Sequence, residues 1–142
     1  MNEDAPLFGC DLISLDKFLD ERGYLVPLWS QESASPQYAY YSVTFAGQAR
    51  DSDRWHIHEK HIDRFVVVHG NLLFALSDGK TTALVALSGR DPKMLIVPPG
   101  VYHCLNNRWE RDAMILNFSS QIYDPSDEGR VPFNDLETSH PW

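Results

Sequence analysis

Two histidines separated by one residue, His56 and His58, are the side chains of this sequence best suited to chemistry. They fall in a segment with the composition of a β-strand, in which residues i and i+2 point to the same face. Both imidazoles can therefore reach one point inside a small barrel, while Ile57 between them packs on the opposite side. Unperturbed imidazole titrates near neutral pH, so such a pair is suited to taking up and returning protons.

Two further stretches extend this cluster. Asp63 follows the histidine pair after four residues, enough for a turn and a return strand, and Gly70 follows after six more. A second segment turns at Pro98-Pro99-Gly100, places His103 three residues beyond the turn and ends at Asn107. We expect the three histidines to point into one lumen, with ring nitrogens within about 6 Å of a common point.

The elements that must position these side chains are short strands. Turn residues separate nine apolar or alternating runs, and Asp78-Gly79 between two of them is a good hairpin signal. Many short strands at this spacing predict an all-β sandwich or barrel. The predicted strands are residues 24–29, 38–45, 54–58, 63–69, 71–77, 81–87, 94–97, 102–106 and 113–119.

Only one segment favours a helix. Residues 14–21 begin with a plausible N-cap, Ser14, and Leu15, Phe18 and Leu19 would share a helical face. Residues 121–142 are polar and rich in turn formers, so we expect them to pack over the barrel as a tail. Neither an internal repeat nor a second domain is visible, which predicts one domain over residues 1–142 with its core at about 24–120.

Composition excludes several classes of function. The net charge of -8 argues against nucleic-acid binding, since an acidic surface repels phosphate backbones. The first ten residues are acidic where a signal peptide is basic, and no apolar run is long enough to span a membrane. We therefore expect a cytoplasmic protein in which Cys10 and Cys104 are reduced thiols.

The two histidine segments resemble the two motifs of the cupin superfamily. Residues 56–70 are similar to H-x-H-x(3,4)-E-x(6)-G, with Asp63 where glutamate is usual, and residues 98–107 to P-x-G-x-x-H-x-x-x-N. The resemblance implies a double-stranded β-helix, the jelly-roll cupin barrel. In metal-binding cupins the matching residues would be His56, His58, Asp63 and His103, a donor set that suits a divalent transition metal.

The flanking sequence resembles one branch of this superfamily, the dTDP-sugar 3,5-epimerases and 3,4-ketoisomerases (RmlC-like cupins). The opening FLDERGYLVPLW is similar to their D-x-R-G-x-L segment. Tyr40-Tyr41 matches a paired tyrosine of the ketoisomerases. The run IYDPSDEGRVPFND, residues 122–135, resembles Y-x-P-x-x-E-x-x-I-x-W-N-D of the epimerases.

Departures from the epimerase pattern favour the ketoisomerase. The arginine that precedes the epimerase base by three residues is replaced by Asp53, and the acid tyrosine falls at or near Asn117. Since the sequence ends at Trp142, we also expect it to lack the C-terminal segment that supplies the aspartate partner of the epimerase base.

The leading hypothesis is a sugar-nucleotide isomerase acting on a dTDP-4-keto-6-deoxyhexose-like substrate by histidine acid–base catalysis, with no cofactor. Such a reaction needs a base for a C–H proton and an acid for the enediolate oxygen. His56 is the expected base, with His58 as relay and His103, Tyr40 or Tyr102 on the enediolate. Expected substrate-binding residues are Arg54 and Arg50 on the diphosphate, Trp55 or Trp109 on the nucleotide base, Tyr102 and Asn117.

Two alternatives use the same cluster. One is a metal-dependent cupin, a dioxygenase or metalloisomerase, in which Asp63 is the fourth ligand; the other is a binding module without chemistry. The isomerase hypothesis predicts that Asp63→Asn retains most activity. His61 and His69 lie off the motifs and are expected at the surface or in packing, and His140 in solvent.

A homodimer is also expected. Residues 66–68 and 72–76 are more apolar than one small barrel needs, and exposed strand edges invite pairing.

Overall fold

The computed structural model of this chain describes residues 7–29 and 35–142. Within these residues, twelve β-strands make up most of the regular structure. Apart from the strands, these residues contain two short 3₁₀ helices, Pro125–Asp127 and Phe133–Asp135. The strands are β1 (Asp11–Ser14), β2 (Phe18–Asp20), β3 (Gly23–Leu25), β4 (Tyr38–Thr44), β5 (Arg54–Ile57), β6 (Asp63–His69), β7 (Asn71–Ser77), β8 (Thr82–Ser88), β9 (Lys93–Val97), β10 (Tyr102–Asn106), β11 (Ala113–Ser119) and β12 (Gly129–Pro132).

Two antiparallel sheets of five strands face each other. The first has the order β1-β9-β6-β11-β4 and the second the order β12-β5-β10-β7-β8. From β4 to β7 the chain changes sheet at every strand, and it does so again from β8 to β11, which is the winding of a jelly roll. The predicted all-β jelly-roll barrel is thus confirmed, and β4, β5, β6, β10 and β11 can all direct side chains into one lumen.

The strand predictions are confirmed closely within the barrel, and four of them, 63–69, 71–77, 102–106 and 113–119, match to the residue. The helix predicted at residues 14–21 is wrong. Ser14 ends β1 and lies opposite Lys93, so strand pairing with β9 satisfies the backbone at the point where the helix was to begin. Phe18 and Leu19 belong instead to a hairpin formed by β2 and β3, and both are exposed. A helical apolar face would have had no core to cover.

The main core lies between the two sheets. Phe65, Leu72, Phe74, Leu76 and Leu95 are all buried in it, and the two sheets contribute side chains to it at alternate positions. Alternation of this kind is what a period of two along each strand requires.

A second, smaller core lies on the outer face of the second sheet. Trp55 of β5 and Cys104 of β10 point away from the lumen and are covered by Phe133, with Trp142 packed at the margin. The rings of Trp55 and Phe133 meet edge to face with centroids 5.4 Å apart. The tail packs on the barrel through these residues, and its strand β12 extends the second sheet beside β5. Cys10 and Cys104 are both buried and free.

Backbone contacts hold the two motifs together. The N–H of Gly100 donates to the carbonyl of His58 at 2.8 Å, so the turn of the second motif sits on the end of the first. Asn107 is fully buried, and its amide bonds Thr44, Trp109 and Arg111. This asparagine is therefore a structural residue of the motif.

No helix in the two described ranges is long and apolar enough to cross a membrane.

Gly70 should be the least replaceable glycine of the barrel. Its φ is +73°, and a Cβ there would lie 2.6 Å from the backbone oxygen of Asp112. Gly47 has the same φ of +73° but open space around it, so it is a matched control for the backbone strain alone. We expect Gly70→Ala to lower the free energy of unfolding by about 3 kcal/mol and Gly47→Ala by about 1 kcal/mol, measured by urea denaturation. Equal losses in the two variants would show that the contact with Asp112 does not matter.

Candidate active site

A cavity of about 300 Å³ opens between the two sheets and is lined by the three motif histidines. His56 on β5 lies directly opposite His103 on β10 in the strand register. The ring centroid of His103 is 6.1 Å from that of His56 and 5.3 Å from that of His58. The expected convergence of these rings in one lumen is therefore observed.

The orientation of His56 is set by a carboxylate. Its Nε2 lies 2.8 Å from Oδ1 of Asp51, which comes from the loop before β5. A carboxylate only accepts, so this nitrogen carries the proton and Nδ1 of the neutral ring keeps its lone pair. No hydrogen-bond partner for that Nδ1 is found within residues 7–29 and 35–142. Sequence reasoning missed Asp51, because a loop aspartate five residues before the histidine has no motif.

Backbone carbonyls orient the other two rings. Nδ1 of His58 lies 2.8 Å from the carbonyl oxygen of Asp127, and Nδ1 of His103 lies 3.1 Å from that of Val101. Both nitrogens must be the protonated ones, since carbonyl oxygens cannot donate. Burial lowers the pKa of His103 to about 4, although the nearby Asp63 raises it in part. His103 is therefore neutral at pH 7, with the lone pair of Nε2 directed into the site.

Asp63 is the centre towards which these rings point. Its Oδ2 lies 3.3 Å from Nε2 of His58 and 3.7 Å from Nε2 of His103, and its Oδ1 accepts from Asn117 at 2.9 Å. Burial acts to raise the pKa of Asp63. Hydrogen bonds from His61 and Asn117, together with the nearby His103, outweigh burial and hold that pKa below its ordinary value.

His61 belongs to the site, contrary to the expectation of a surface or packing role. Its Nε2 lies 3.3 Å from Oδ1 of Asp63 and its Nδ1 2.9 Å from Oδ2 of Asp127, while its ring stacks on His58 with centroids 3.8 Å apart. The hydrogen bond to Asp63 raises the pKa of His61, against the lowering effect of burial. Its position in the loop between β5 and β6 gave no signal of this role. His69 and His140 are exposed, as expected.

Tyr40 and Asn117 close the opposite wall. They are register partners on β4 and β11. The N–H of Arg64 donates to the amide oxygen of Asn117, so the amide nitrogen must face Asp63 and the hydroxyl of Tyr40, the latter at 3.1 Å. Burial raises the pKa of Tyr40, offset in part by the hydrogen bond from Asn117, and the phenol is therefore protonated at neutral pH.

The mouth of the cavity carries an arginine and aromatic rings. Arg50 lines the cavity, and within the described ranges the one hydrogen bond found for its guanidinium is a long one, 3.4 Å to the carbonyl of Val43. Tyr38 lies between Tyr40 and Tyr123, with centroids 6.0 and 6.3 Å away.

Four residues expected to bind substrate are outside the cavity, among them Trp109, which is not one of the residues that line it. Arg54 pairs with the exposed Asp53 on the surface. Trp55 is fully buried in the second core, so it has no face on which a base could stack. Tyr102 packs against the same core. The alternation of side chains along β5 and β10 explains why Trp55 and Tyr102 face away from the lumen, since each is adjacent in sequence to a histidine that faces it.

Three residues of the cavity, His58, Asp63 and His103, could hold a metal ion. Nitrogen or oxygen atoms of His58, Asp63 and His103 all lie within 4.8 Å of one another, and the Nδ1 contacts to carbonyls leave the Nε2 lone pairs free to ligate. His56 is directed to Asp51, so the four-residue set implied by the cupin motif is not assembled as a whole. The donor set therefore fits a metal with three of its four residues.

Comparisons with known proteins show the family and the fold of this chain. The family model FdtA, described as WxcM-like, C-terminal, matches residues 8–134. The probable low-salt glycan biosynthesis epimerase Agl13 of Haloferax volcanii is 25% identical over 137 residues, covering 87% of this chain and 86% of its own.

Two solved structures share the fold. A dTDP sugar isomerase from Desulfovibrio desulfuricans G20 has a TM-score of 0.80 at 20% identity and covers 89% of this chain and 85% of its own. QdtA, a sugar 3,4-ketoisomerase from Thermoanaerobacterium thermosaccharolyticum in complex with TDP, has a TM-score of 0.75 at 21% identity and covers 89% of both chains. These likenesses confirm the jelly-roll barrel found above.

Proposed function

Since this chain belongs to the FdtA family, WxcM-like, C-terminal, we propose that it is a 3,4-ketoisomerase of a dTDP-4-keto-6-deoxyhexose-like sugar nucleotide. Its relatives and structural neighbours are epimerases and isomerases, and the chain is an enzyme of that class. The finer assignment rests on one observation. A histidine anchored by a carboxylate, His56 on Asp51, shares a cavity with a protonated tyrosine, Tyr40, held on the facing sheet.

His56 is the base of the proposed reaction. Asp51 accepts the proton on Nε2, which aligns the ring and stabilises the imidazolium that forms when Nδ1 takes a second proton. A hydrogen on the carbon next to a ketone is acidic enough for such a base, because the resulting charge moves onto the carbonyl oxygen.

Tyr40 is the acid. Asn117 donates to its hydroxyl oxygen, so the phenolic proton is free for a substrate oxygen. An amide at position 117 cannot itself protonate an enediolate, and the acid thus lies on β4 instead of β11. This difference favours the ketoisomerase over the 3,5-epimerase.

The steps balance without any oxidant or reductant. His56 takes the proton from C3, the C–H electrons form a C3–C4 double bond, and the C4 carbonyl electrons move to O4, which takes the proton of Tyr40. The hydroxyl on C3 then returns a proton to Tyr40, its electrons form the carbonyl at C3, and C4 takes the proton held by His56. The carbonyl has moved by one carbon, and both residues are restored. His58 lines the same cavity and is the proposed relay, which can take the proton from His56 between the two steps and give it back.

The mouth of the cavity suits the nucleotide part of the substrate. A guanidinium fork matches the oxygens of a diphosphate, and that of Arg50 has donors to spare. Tyr38 and Tyr123 offer exposed ring faces on which a base can stack. These residues replace Arg54 and Trp55 in the proposed binding site.

His56→Asn and Asp51→Asn test the base. We expect His56→Asn to lower kcat about a thousandfold and Asp51→Asn about a hundredfold, with KM changed less than about threefold, because both act on proton transfer and not on binding. Turnover of dTDP-4-keto-6-deoxyglucose followed by NMR is the measurement.

Asp53→Asn is the matched control for this experiment, since its carboxylate lies two residues from Asp51 but is exposed and paired with Arg54. It should keep the wild-type kcat. A His56→Asn enzyme with wild-type turnover would refute the assignment of the base.

The second candidate is a metal-dependent cupin, favoured by the three convergent ligand atoms of His58, Asp63 and His103. A metal bound there would act as a Lewis acid on a substrate oxygen. In that case Asp63 supplies the charge of the ligand set, whereas the proposed proton transfers do not use it.

Elemental analysis of protein purified without chelator separates the two candidates. We expect no stoichiometric transition metal, and we expect Asp63→Asn to keep most of kcat while losing stability, because the amide leaves the surrounding imidazoles without a carboxylate. One tightly bound metal per chain that is lost in Asp63→Asn would establish the metal-dependent enzyme instead.

A homodimer is part of the proposal, but on a surface that differs from the one first expected. Val66, Leu72 and Leu76 are buried within a single chain, so the apolar runs of β6 and β7 need no partner. The β2–β3 hairpin instead exposes Phe18, Leu19, Tyr24 and Leu25, and within the described ranges its strands pair only with each other. A second copy of this chain is the proposed cover for this surface.

Light scattering at micromolar concentration tests this interface. The wild type should be a dimer, and Leu19→Glu with Leu25→Glu should make it a monomer, because two buried charges at an apolar interface are costly. Leu84→Glu is the control, since Leu84 is equally apolar and exposed but lies on β8 in the second sheet. A monomeric wild type, or a double variant that remains dimeric, would rule out the hairpin interface.

A further inference from the structure

A single aspartate of the tail, Asp127, contacts the site from outside the barrel. It ends the short 3₁₀ helix Pro125–Asp127 and is buried, with 4% of its surface exposed. Its carboxylate accepts the N–H of Glu59 at 2.8 Å and that of Lys60 at 3.3 Å, both in the loop between β5 and β6. Its own carbonyl lies 2.8 Å from Nδ1 of His58.

These contacts connect Asp127 to the loop at two points. The carboxylate binds the N–H groups of the two residues that follow His58, and this fixes the backbone carbonyl of Asp127 against the ring of His58. The third contact of the carboxylate, to Nδ1 of His61 at 2.9 Å, fixes the ring that stacks on His58. Several charge-assisted hydrogen bonds to one buried carboxylate are strong enough to define the geometry of this loop, in which the side chains of Glu59 and Lys60 are exposed.

We infer that Asp127 is a positioning residue, which fixes which nitrogen of His58 faces the cavity. This inference rests on the proposed function in giving His58 a part in proton transfer. Two acceptors compete for the proton of a neutral His58 ring, the carbonyl of Asp127 at 2.8 Å from Nδ1 and Oδ2 of Asp63 at 3.3 Å from Nε2.

Without the carbonyl of Asp127, the carboxylate of Asp63 would draw the proton to Nε2, since a charged acceptor is the stronger one. The ring would then present an N–H to the cavity and lose its lone pair there. With the carbonyl in place, Nδ1 keeps the proton and Nε2 can accept one from the cavity. Asp127 thus sets the direction in which His58 can pass a proton.

The ring nitrogens of His58 report this directly. Two-bond proton–nitrogen NMR spectra over a pH series distinguish the two neutral tautomers, and a His58→Gln variant assigns the signals. We expect the Nδ1–H tautomer in the wild type and a population of Nε2–H in Asp127→Ala. We also expect kcat of Asp127→Ala to fall about a hundredfold with KM changed less than about threefold, since misplacement of a catalytic group acts on the chemical step.

Asp127→Asn and Asp124→Ala complete the experiment. The amide has one acceptor oxygen for three N–H donors, so Asp127→Asn should show a smaller fraction of Nε2–H and a kcat lowered about threefold; this milder change decides the matter if Asp127→Ala does not fold. Asp124 caps the same 3₁₀ helix but is bonded to Ser126 and does not contact a histidine, so Asp124→Ala should keep the wild-type tautomer and kcat.

Each outcome decides the inference. An unchanged tautomer in the Asp127 variants overturns it, even where kcat and stability fall, because the role would then be structural only. A change of the His58 tautomer in Asp127→Ala but not in Asp124→Ala supports the inference. The tautomer can be measured even if the protein turns over no sugar nucleotide. In that case the proposed function is refuted, but the positioning role of Asp127 is still supported.

Discussion

The burial of one carboxylate, Asp63, governs the arrangement of this site. An anion with 4% of its surface exposed is costly unless donors surround it, and breaking such a set by removing one partner typically costs about 3–5 kcal/mol. Asn117 and His61 supply the donors, while the Nε2 atoms of His58 and His103 lie 3.3 and 3.7 Å from the carboxylate. His61 is therefore held by the need to solvate this charge, whereas the rings of His58 and His103 are held by backbone carbonyls.

The same need links the tail to the barrel. His61 contacts Asp63 on one side and Asp127 on the other. The pKa of this ring is raised, and a protonated His61 stabilises both buried carboxylates at once. Both carboxylates have depressed pKa values in this arrangement, so their stabilising contribution is present above the ordinary carboxylate pKa and is lost as the pH falls towards their folded pKa values. The tail is consequently part of the site. Its strand β12 also pairs with β5, and the indole of Trp142 donates to the carbonyl of Asp51 at 3.1 Å.

Much of this was predictable from residues with a local signal. A period of two along a strand placed His56 and His58 on one face, and turn residues located most strands of the barrel. The same rule places Trp55 on the outer face, because it is adjacent in sequence to His56, which faces the lumen. Asp51, His61 and Asp127 could not be found in this way, since they lie in loops or the tail and meet their partners only through long-range packing. The helix predicted at residues 14–21 failed for a related reason: pairing of β1 with β9 outweighs a local preference.

In the proposed reaction, the position of the acid distinguishes this cavity from that of an epimerase. Neighbouring strands lie about 4.8 Å apart, so an acid hydroxyl on β4 instead of β11 would deliver its proton to a different atom of the sugar. Asn117 fixes the position of the Tyr40 hydroxyl. The N–H of Arg64 donates to its amide oxygen, so its amide nitrogen donates to Tyr40 and Asp63. In the proposed reaction, the base His56 on the second sheet and the acid Tyr40 on β4 would act at two adjacent carbons of the ring. Transfer of a carbonyl between neighbouring carbons needs this pairing, whereas inversion at two separate carbons needs an acid within reach of both.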